Sequence, residues 1–271
     1  MWCVQRRLSE FKGFVFDIDG VLKLGDKPIK GAAEAITFLQ HENRKVAILT
    51  NNATRSRKGI VDEMKRIGIN VGIDEVFGSA CGAARFIKHE FGGGKAFVIG
   101  ERGLREELKA AGIKLLPASK AANADFVVVG LDRTFNYKKL DAALTATMNG
   151  AMFIATNEDA RLPIEKGAKP GAGCMVAALS TCAKKKPDVV IGKPHPYLLE
   201  MAIEAMGLKK SELVMVGDGI ETDIAMANAA GVYSVLVLTG NAPRKAELAR
   251  LPRELKPSHV LNSVSELPSN W

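Results

Sequence analysis

The sequence predicts an α/β fold: a Rossmann-like, doubly wound parallel sheet core with a second α/β unit inserted into it. Three observations carry that expectation. Short apolar runs alternate with stretches of helical spacing along the chain, the pattern of βαβ units. The first run, Phe14-Val15-Phe16, breaks off into Asp17-Ile18-Asp19-Gly20. A late run, Leu213-Val214-Met215-Val216, breaks off into Gly217-Asp218, with a further acid at Asp223. Open α/β sheets hold ligands outside the carboxyl ends of their strands, so acids placed there are candidates for chemistry.

The elements follow in order. Phe14–Phe16 reads as a buried parallel strand, and Gly20 lets the chain turn away from it. Leu24 to Pro28 is a turn or flap. Gly31 to Gln40 has helical spacing, with Ala32, Ala35, Ile36 and Leu39 on one face. Lys45 to Leu49 is a second strand ending in Thr50-Asn51-Asn52, which completes a right-handed βαβ unit. Arg55 to Ile67 is a basic amphipathic helix. Its charges read as a solvated face, because no aromatic residues interleave them as a nucleic-acid groove would require.

From about Ser79 the alternation restarts. Helices are expected over Gly82–Phe91, Leu104–Ala111 and Tyr137–Asn149, and strands over Lys95–Ile99, Phe126–Val129 and Met152–Ala155. Gly92-Gly93-Gly94-Lys95 lacks the spacing of a P-loop. Gly100-Glu101-Arg102-Gly103 lacks the three-glycine spacing of a dinucleotide turn. Thr156-Asn157-Glu158-Asp159 ends a strand where it could face a ligand, and Pro170-Gly171-Ala172-Gly173 opens a helix to about Ala183. Both stretches read equally as structural turns. Lys184-Lys185-Lys186-Pro187 is an exposed junction. Asp188 to Pro194 is extended and delivers Lys193, which the following proline keeps out of helical geometry. A helix over His195–Met206, the strand before Asp218, a strand over Tyr233–Leu238, a short helix near Ala246 and a weak strand at His259–Leu261 complete the chain.

Composition bounds the function. At 271 residues the chain suits one large domain or two modest ones, and 47% hydrophobic with 25% charged residues is ordinary for a globular protein. The net charge of +8 favours anionic partners such as phosphate esters or nucleic acid, and serves equally as a solubility feature. Cys3, Cys81, Cys174 and Cys182 form no Cys-x-x-Cys pair, so neither a zinc ribbon nor a redox motif is indicated. Sparse cysteines suit a reducing compartment. The N-terminal stretch Met1 to Arg7 has no long apolar core, and no run approaches a membrane span. A cytoplasmic protein with no membrane association is expected.

Asp-x-Asp-Gly also opens calcium loops, which need a Glu at the twelfth position. Counted from Asp17 that position is Pro28, so this reading fails. The bland alternative is a surface turn with solvated acids. Thr50, Asn51 and Asn52 can bind phosphate oxygens, or Asn52 or Thr54 can cap the next helix, and both readings stand. Asp223 falls at a helix start, where an acid also acts as a dipole partner. Taken together, Asp17, Asp19, Thr50, Asn51, Lys193, Asp218 and Asp223 make an oxygen-rich set without His or Cys. That suits a hard cation such as Mg²⁺ beside a phosphoryl group held by one lysine.

This set resembles the haloacid dehalogenase superfamily of aspartate-nucleophile phosphatases, on Asp17-Ile18-Asp19-Gly20-Val21, the strand ending at Thr50, Lys193, and Gly217-Asp218 through Asp223. Thr50-Asn51-Asn52, Gly192-Lys193-Pro194 and the inserted unit look like its NagD-type, 4-nitrophenylphosphatase branch, which carries a C2-type α/β cap. The resemblance implies a catalytic core over residues 1–79 and 188–271 and a cap over 80–187. It implies Asp17 as nucleophile, Asp19 as general acid and base, and Lys193 stabilising the nucleophile and the transferring charge. Thr50, Asn51, Asn52 and Lys193 would bind substrate. Mg²⁺ would be held by the Asp17 carboxylate, the Asp19 backbone carbonyl and Asp218, with Asp223 orienting metal-bound water. The branch usually carries a larger residue where Gly219 stands.

The expected activity is Mg²⁺-dependent hydrolysis of small phosphomonoesters: 4-nitrophenyl phosphate-type, nucleotide or sugar phosphates. The expected partner is a small phosphorylated metabolite, with no nucleic acid, and by the same resemblance a homodimer formed through the cap. Rivals are a phosphomutase and a non-hydrolytic phosphate-binding or signalling protein. A receiver-type signalling domain needs neither Asp19 nor an inserted domain. A relative without catalysis is disfavoured by the intact Asp17 and Asp19.

Overall fold

The computed structural model describes residues 6–163, 167–241 and 245–271. Cys3 and the N-terminal stretch Met1 to Gln5 lie outside the described residues. The chain divides into two compact units. One is drawn from Met1–Thr50, Val61–Phe77 and Lys193–Trp271, the other from Asn51–Ile60 and Gly78–Gly192.

The first unit is built on a six-stranded sheet. Its order is His259–Leu261, Tyr233–Val237, Leu213–Gly217, Gly13–Phe16, Lys45–Thr50 and Val76–Gly78. The pairings from His259–Leu261 through Lys45–Thr50 are all parallel. Strand Gly13–Phe16 lies centrally and every residue in it is buried. That explains its continuous apolar run, since a strand covered on both faces has no polar side to alternate. Helix Ala32–His41 buries Ala32, Ala35, Ile36 and Leu39, the stripe that the spacing predicts. A two-stranded antiparallel hairpin, Lys23–Leu24 with Lys27–Pro28, forms the flap after the Asp17 strand.

The second unit holds a five-stranded parallel sheet in the order Val189–Val190, Met152–Ala155, Phe126–Val129, Lys95–Ile99 and Lys114–Leu115. Its core joins Phe97, Val127, Val129 and Phe153 of the sheet to Ala143 and Ala146 of helix Tyr137–Met148 and to Val176 and Leu179 of helix Ala172–Ala183. No helix among the described residues is long and apolar enough to cross a membrane.

Several elements depart from expectation. The short strands Val76–Gly78 and Lys114–Leu115 and the hairpin Arg161–Pro163 with Ala168–Pro170 go unpredicted, because two or three residues show no measurable period. The extended stretch from Asp188 is a strand only at Val189–Val190. The helix expected from His195 begins at Tyr197. Residues 51–60 fall in the second unit, where the sequence alone places them in the first. Their bonds explain this: Gly103 N–H donates to Thr54 O at 3.1 Å, and Arg57 N–H to Glu107 Oε1 at 2.7 Å.

Helix Arg57–Arg66 keeps Lys58, Asp62, Lys65 and Arg66 exposed, the solvated face that the sequence predicts, but two of its charges have tertiary partners. Arg57 Nε pairs with the buried Glu107 at 3.2 Å. Glu63 is only 7% exposed and pairs with Lys23. Helical spacing does not reveal these partners; Glu63 is taken out of water, while Arg57 stays partly exposed.

Candidate active site

Register brings the predicted acids to one sheet edge. Phe16 pairs with Val216 on one side and Ile48 on the other. The Asp17 N–H still continues that ladder, donating to Val216 O at 3.0 Å. Asp218 stands two residues past Val216 and Thr50, the last residue of its strand, two past Ile48, so both stand at the sheet edge beside Asp17. Past Asp218 a turn of π-helix over Ile220–Ile224 carries Asp223 back under the strand end, where it is fully buried.

Lys193 Nζ lies 2.8 Å from Asp17 Oδ1 and 2.7 Å from Asp223 Oδ1. Asp223 Oδ2 accepts the Gly219 N–H at 3.0 Å. Asp218 Oδ2 accepts the Asn241 N–H at 2.6 Å. Asp17, Asp218 and Asp223 can each offer a carboxylate oxygen within 4.8 Å of the others. Three acids facing one ammonium leave an excess of negative charge. Burial pushes the Asp17 carboxyl well above the ordinary aspartate range; Lys193 opposes the shift, and the Asp223 and Asp218 carboxylates add to it. Burial and the Asp223 carboxylate raise Asp218 to about 6. Burial disfavours the charge on Lys193, yet Asp17 and Asp223 outweigh it and hold the ammonium above the ordinary lysine range.

The donor chemistry fits a hard divalent cation, because the cluster is all oxygen and a cation would neutralise the excess charge. Both Asp223 oxygens already accept hydrogen bonds, from Lys193 and from the Gly219 backbone. That leaves Asp17 and Asp218 as the carboxylates better placed to take a metal directly. A Cβ at Gly219 would overlap Thr222 Oγ1, so the missing side chain there makes room for Thr222.

Asp19 does not join this cluster. Its Oδ1 accepts from Lys23 Nζ at 2.8 Å, and its side chain is 39% exposed. Asn51 and Asn52 belong to the second unit. There Asn51 Nδ2 donates to Asp159 Oδ2 at 3.0 Å, and Asn51 O accepts from Ser79 Oγ at 2.6 Å and Asn157 Nδ2 at 2.8 Å. Asn52 Oδ1 accepts the Thr54 N–H at 2.9 Å and its hydroxyl at 2.7 Å, a local Asx turn. The stretch Thr156 to Asp159 thus fixes the backbone and amide of Asn51.

Two family models match the chain. A haloacid dehalogenase-like hydrolase model covers residues 14–114, and a HAD-hydrolase-like model covers 190–267. Sugar-phosphatase AraL of Bacillus subtilis (strain 168) is 36% identical over 94% of this chain and 91% of its own length. The chain belongs to the haloacid dehalogenase-like hydrolases. It is also 33% identical to 5'-nucleotidase YutF of Bacillus subtilis (strain 168), over 96% of this chain and 98% of that one. Among solved structures, the p-nitrophenyl phosphatase from Archaeoglobus fulgidus superposes with a TM-score of 0.89 at 35% identity, covering 97% of this chain and 100% of that one. These relatives place the chain on the phosphatase branch of the family and support its core fold.

In this hydrolase the sequence reading misses Lys23, Glu63 and Asn241. Asn241 acts through its backbone N–H, so no side-chain chemistry signals it. Lys23 precedes a polar turn, where lysines are usually solvated, and Glu63 sits on a helix face with other charges. A buried ion pair between residues this far apart in sequence leaves no local pattern.

Proposed function

We propose that the protein hydrolyses small phosphomonoesters in an Mg²⁺-dependent reaction through a phosphoryl group carried on Asp17. One observation supports this most directly. The Asp17 carboxylate sits at the sheet edge, with Lys193 on one oxygen and Asp218 close by. The names of its relatives, a sugar phosphatase, a 5'-nucleotidase and a p-nitrophenyl phosphatase, support the substrate class.

Asp17 attacks phosphorus as the ester bond breaks. Asp19 gives its proton to the departing alcohol oxygen, then takes one from the water that releases phosphate. Lys193 holds Asp17 in its attacking rotamer and offsets the charge that gathers on the phosphoryl oxygens. Asp223 anchors Lys193. Thr50 and its chain neighbour Asn51 supply hydrogen bonds to the phosphoryl group, with Asn52 shaping the turn that follows. Asp17, Asp218 and the Asp19 backbone carbonyl would hold the Mg²⁺, which when bound lessens repulsion between the carboxylate and the anionic ester. Selection of the alcohol falls to the second unit, as a cap.

The test is phosphate release from a panel of phosphomonoesters, with Mg²⁺ and with a chelator, for the wild type and Asp17→Asn. Metal-dependent release that Asp17→Asn abolishes while keeping its fold supports the reading. Near-normal turnover in that variant removes Asp17 as nucleophile. Transfer of phosphate back to substrate without release points to a mutase.

A further inference from the structure

Lys23 is a charged residue that the reaction above does not use, and it is 8% exposed. A tight turn returns it to the acid. Leu22 N–H and Lys23 N–H both donate to Ile18 O, at 2.9 and 3.1 Å, and Gly20 N–H donates to Lys23 O at 2.7 Å. Lys23 then opens the flap hairpin, pairing with Pro28. Its ammonium has three donors and faces three acceptors. These are Asp19 Oδ1 at 2.8 Å, Gly25 O at 2.9 Å and Glu63 Oε1 at 3.4 Å. Burial disfavours the charge, but the Asp19 and Glu63 carboxylates outweigh it and keep Lys23 above the ordinary lysine range.

We propose that Lys23, anchored by Glu63, is a positioning residue that fixes the Asp19 carboxyl for proton transfer to the leaving group. The inference rests on the phosphatase reading. Asp19 is partly exposed and otherwise able to turn about its side-chain bonds, so a proton donor there needs something to hold it. The Lys23 ammonium holds Oδ1, and proton transfer falls to Oδ2. Glu63 is nearly buried on its own helix and sets where the ammonium stands. In the step concerned, an Asp17 oxygen bonds to phosphorus and the bond from phosphorus to the ester oxygen breaks. The electron pair of that bond stays on the alcohol oxygen. The proton on Asp19 Oδ2 moves to that oxygen, leaving Asp19 as a carboxylate paired with Lys23.

The experiment compares two esters that differ in their need for that proton. An alkyl phosphate such as glycerol phosphate departs as an alcohol only if protonated, whereas 4-nitrophenolate leaves as a stable anion. The ratio kcat/KM reports on events up to departure of the alcohol and is blind to later hydrolysis at Asp17. Lys23→Met is expected to lower kcat/KM for glycerol phosphate roughly 10–100-fold, and for 4-nitrophenyl phosphate about 3-fold or less, because a positioned proton donor matters to the first only. Lys23→Met alone removes the ammonium that faces the buried Glu63 and risks unfolding. The double variant Lys23→Met/Glu63→Gln removes both charges while keeping the shape, and it is expected to show the same split. Equal losses on the two esters, or no loss on either, in a folded double variant overturn the assignment. A wild type inactive on both esters sinks the phosphatase reading itself, and this inference with it. An active wild type with unsplit losses sinks only the role of Lys23.

Discussion

The ammonium of Lys193 lies 2.8 Å from Oδ1 of Asp17, and the two residues enter one buried site from distant parts of the chain. Lys193 is 4% exposed, so its charge is compensated by protein rather than by water. Removing one partner of such a pair leaves the other buried and uncompensated. Lys193→Met should therefore destabilise the metal-free protein by about 3–5 kcal/mol as well as abolish turnover. Urea unfolding in chelator, wild type against variant, checks the first. An inactive variant of unchanged stability would mean that the pair contributes nothing to folding.

The buried acids set a pH dependence with an unusual sign. Burial and the neighbouring Asp223 hold the Asp218 carboxyl at about 6, against an ordinary 3.8. The folded state thus binds this proton more tightly than the unfolded chain does. Stability of the metal-free protein falls as pH rises between those values, and the loss is complete above about 6. It amounts to something on the order of 3 kcal/mol from this group. Asp17 is pushed the same way and adds to the effect. A cation bound to the ionised carboxylates offsets it. In chelator the protein should melt higher at about pH 5 than at about pH 7.5, and added Mg²⁺ should raise the midpoint more at the higher pH. A metal-free midpoint that climbs with pH over this range would contradict the assignment.

Asp218 can be separated from Asp223 by metal titration. Asp218 Oδ2 is held by the Asn241 backbone, whereas both Asp223 oxygens are engaged by Lys193 and Gly219. Asp218→Ala should raise the Mg²⁺ concentration for half-maximal turnover by roughly 10–100-fold or more, on the scale at which even indirect supports of a metal act. An unchanged titration would take Asp218 off the list of ligands.

Much of this site was legible in the sequence because strand ends concentrate it. A buried parallel strand is a continuous apolar run, so its abrupt end marks the sheet edge; Asp17 and Asp218 follow such strands and Thr50 closes one. The stripe Ala32, Ala35, Ile36 and Leu39 was legible for the same reason: burial imposes a period. What period cannot carry stayed hidden. Strand Val76–Gly78 is too short to show one. Glu63 looks like any charged helix residue until Lys23 is folded against it. Asn51 directly follows a strand of the first unit, yet its amide is held by Asp159, more than a hundred residues on.

Gly20 turns the chain between Asp19 and the flap, and two separate effects restrict it to glycine. Its φ is +88°, and a Cβ there would overlap the Asp218 carboxylate. The first effect is backbone strain and the second is displacement of a proposed metal ligand. Gly112 separates them, since its φ is +81° and a Cβ there would meet nothing within 4 Å. Gly112→Ala should cost only the strain, about 1–2 kcal/mol, with the Mg²⁺ titration unmoved. Gly20→Ala should cost roughly 2–4 kcal/mol and shift the titration to higher Mg²⁺ as well, because Asp218 must give way. Thermal unfolding and metal-dependent phosphate release on the two variants make the comparison. If both lost the same stability and neither moved the titration, the close approach of Gly20 to Asp218 would have no bearing on the metal.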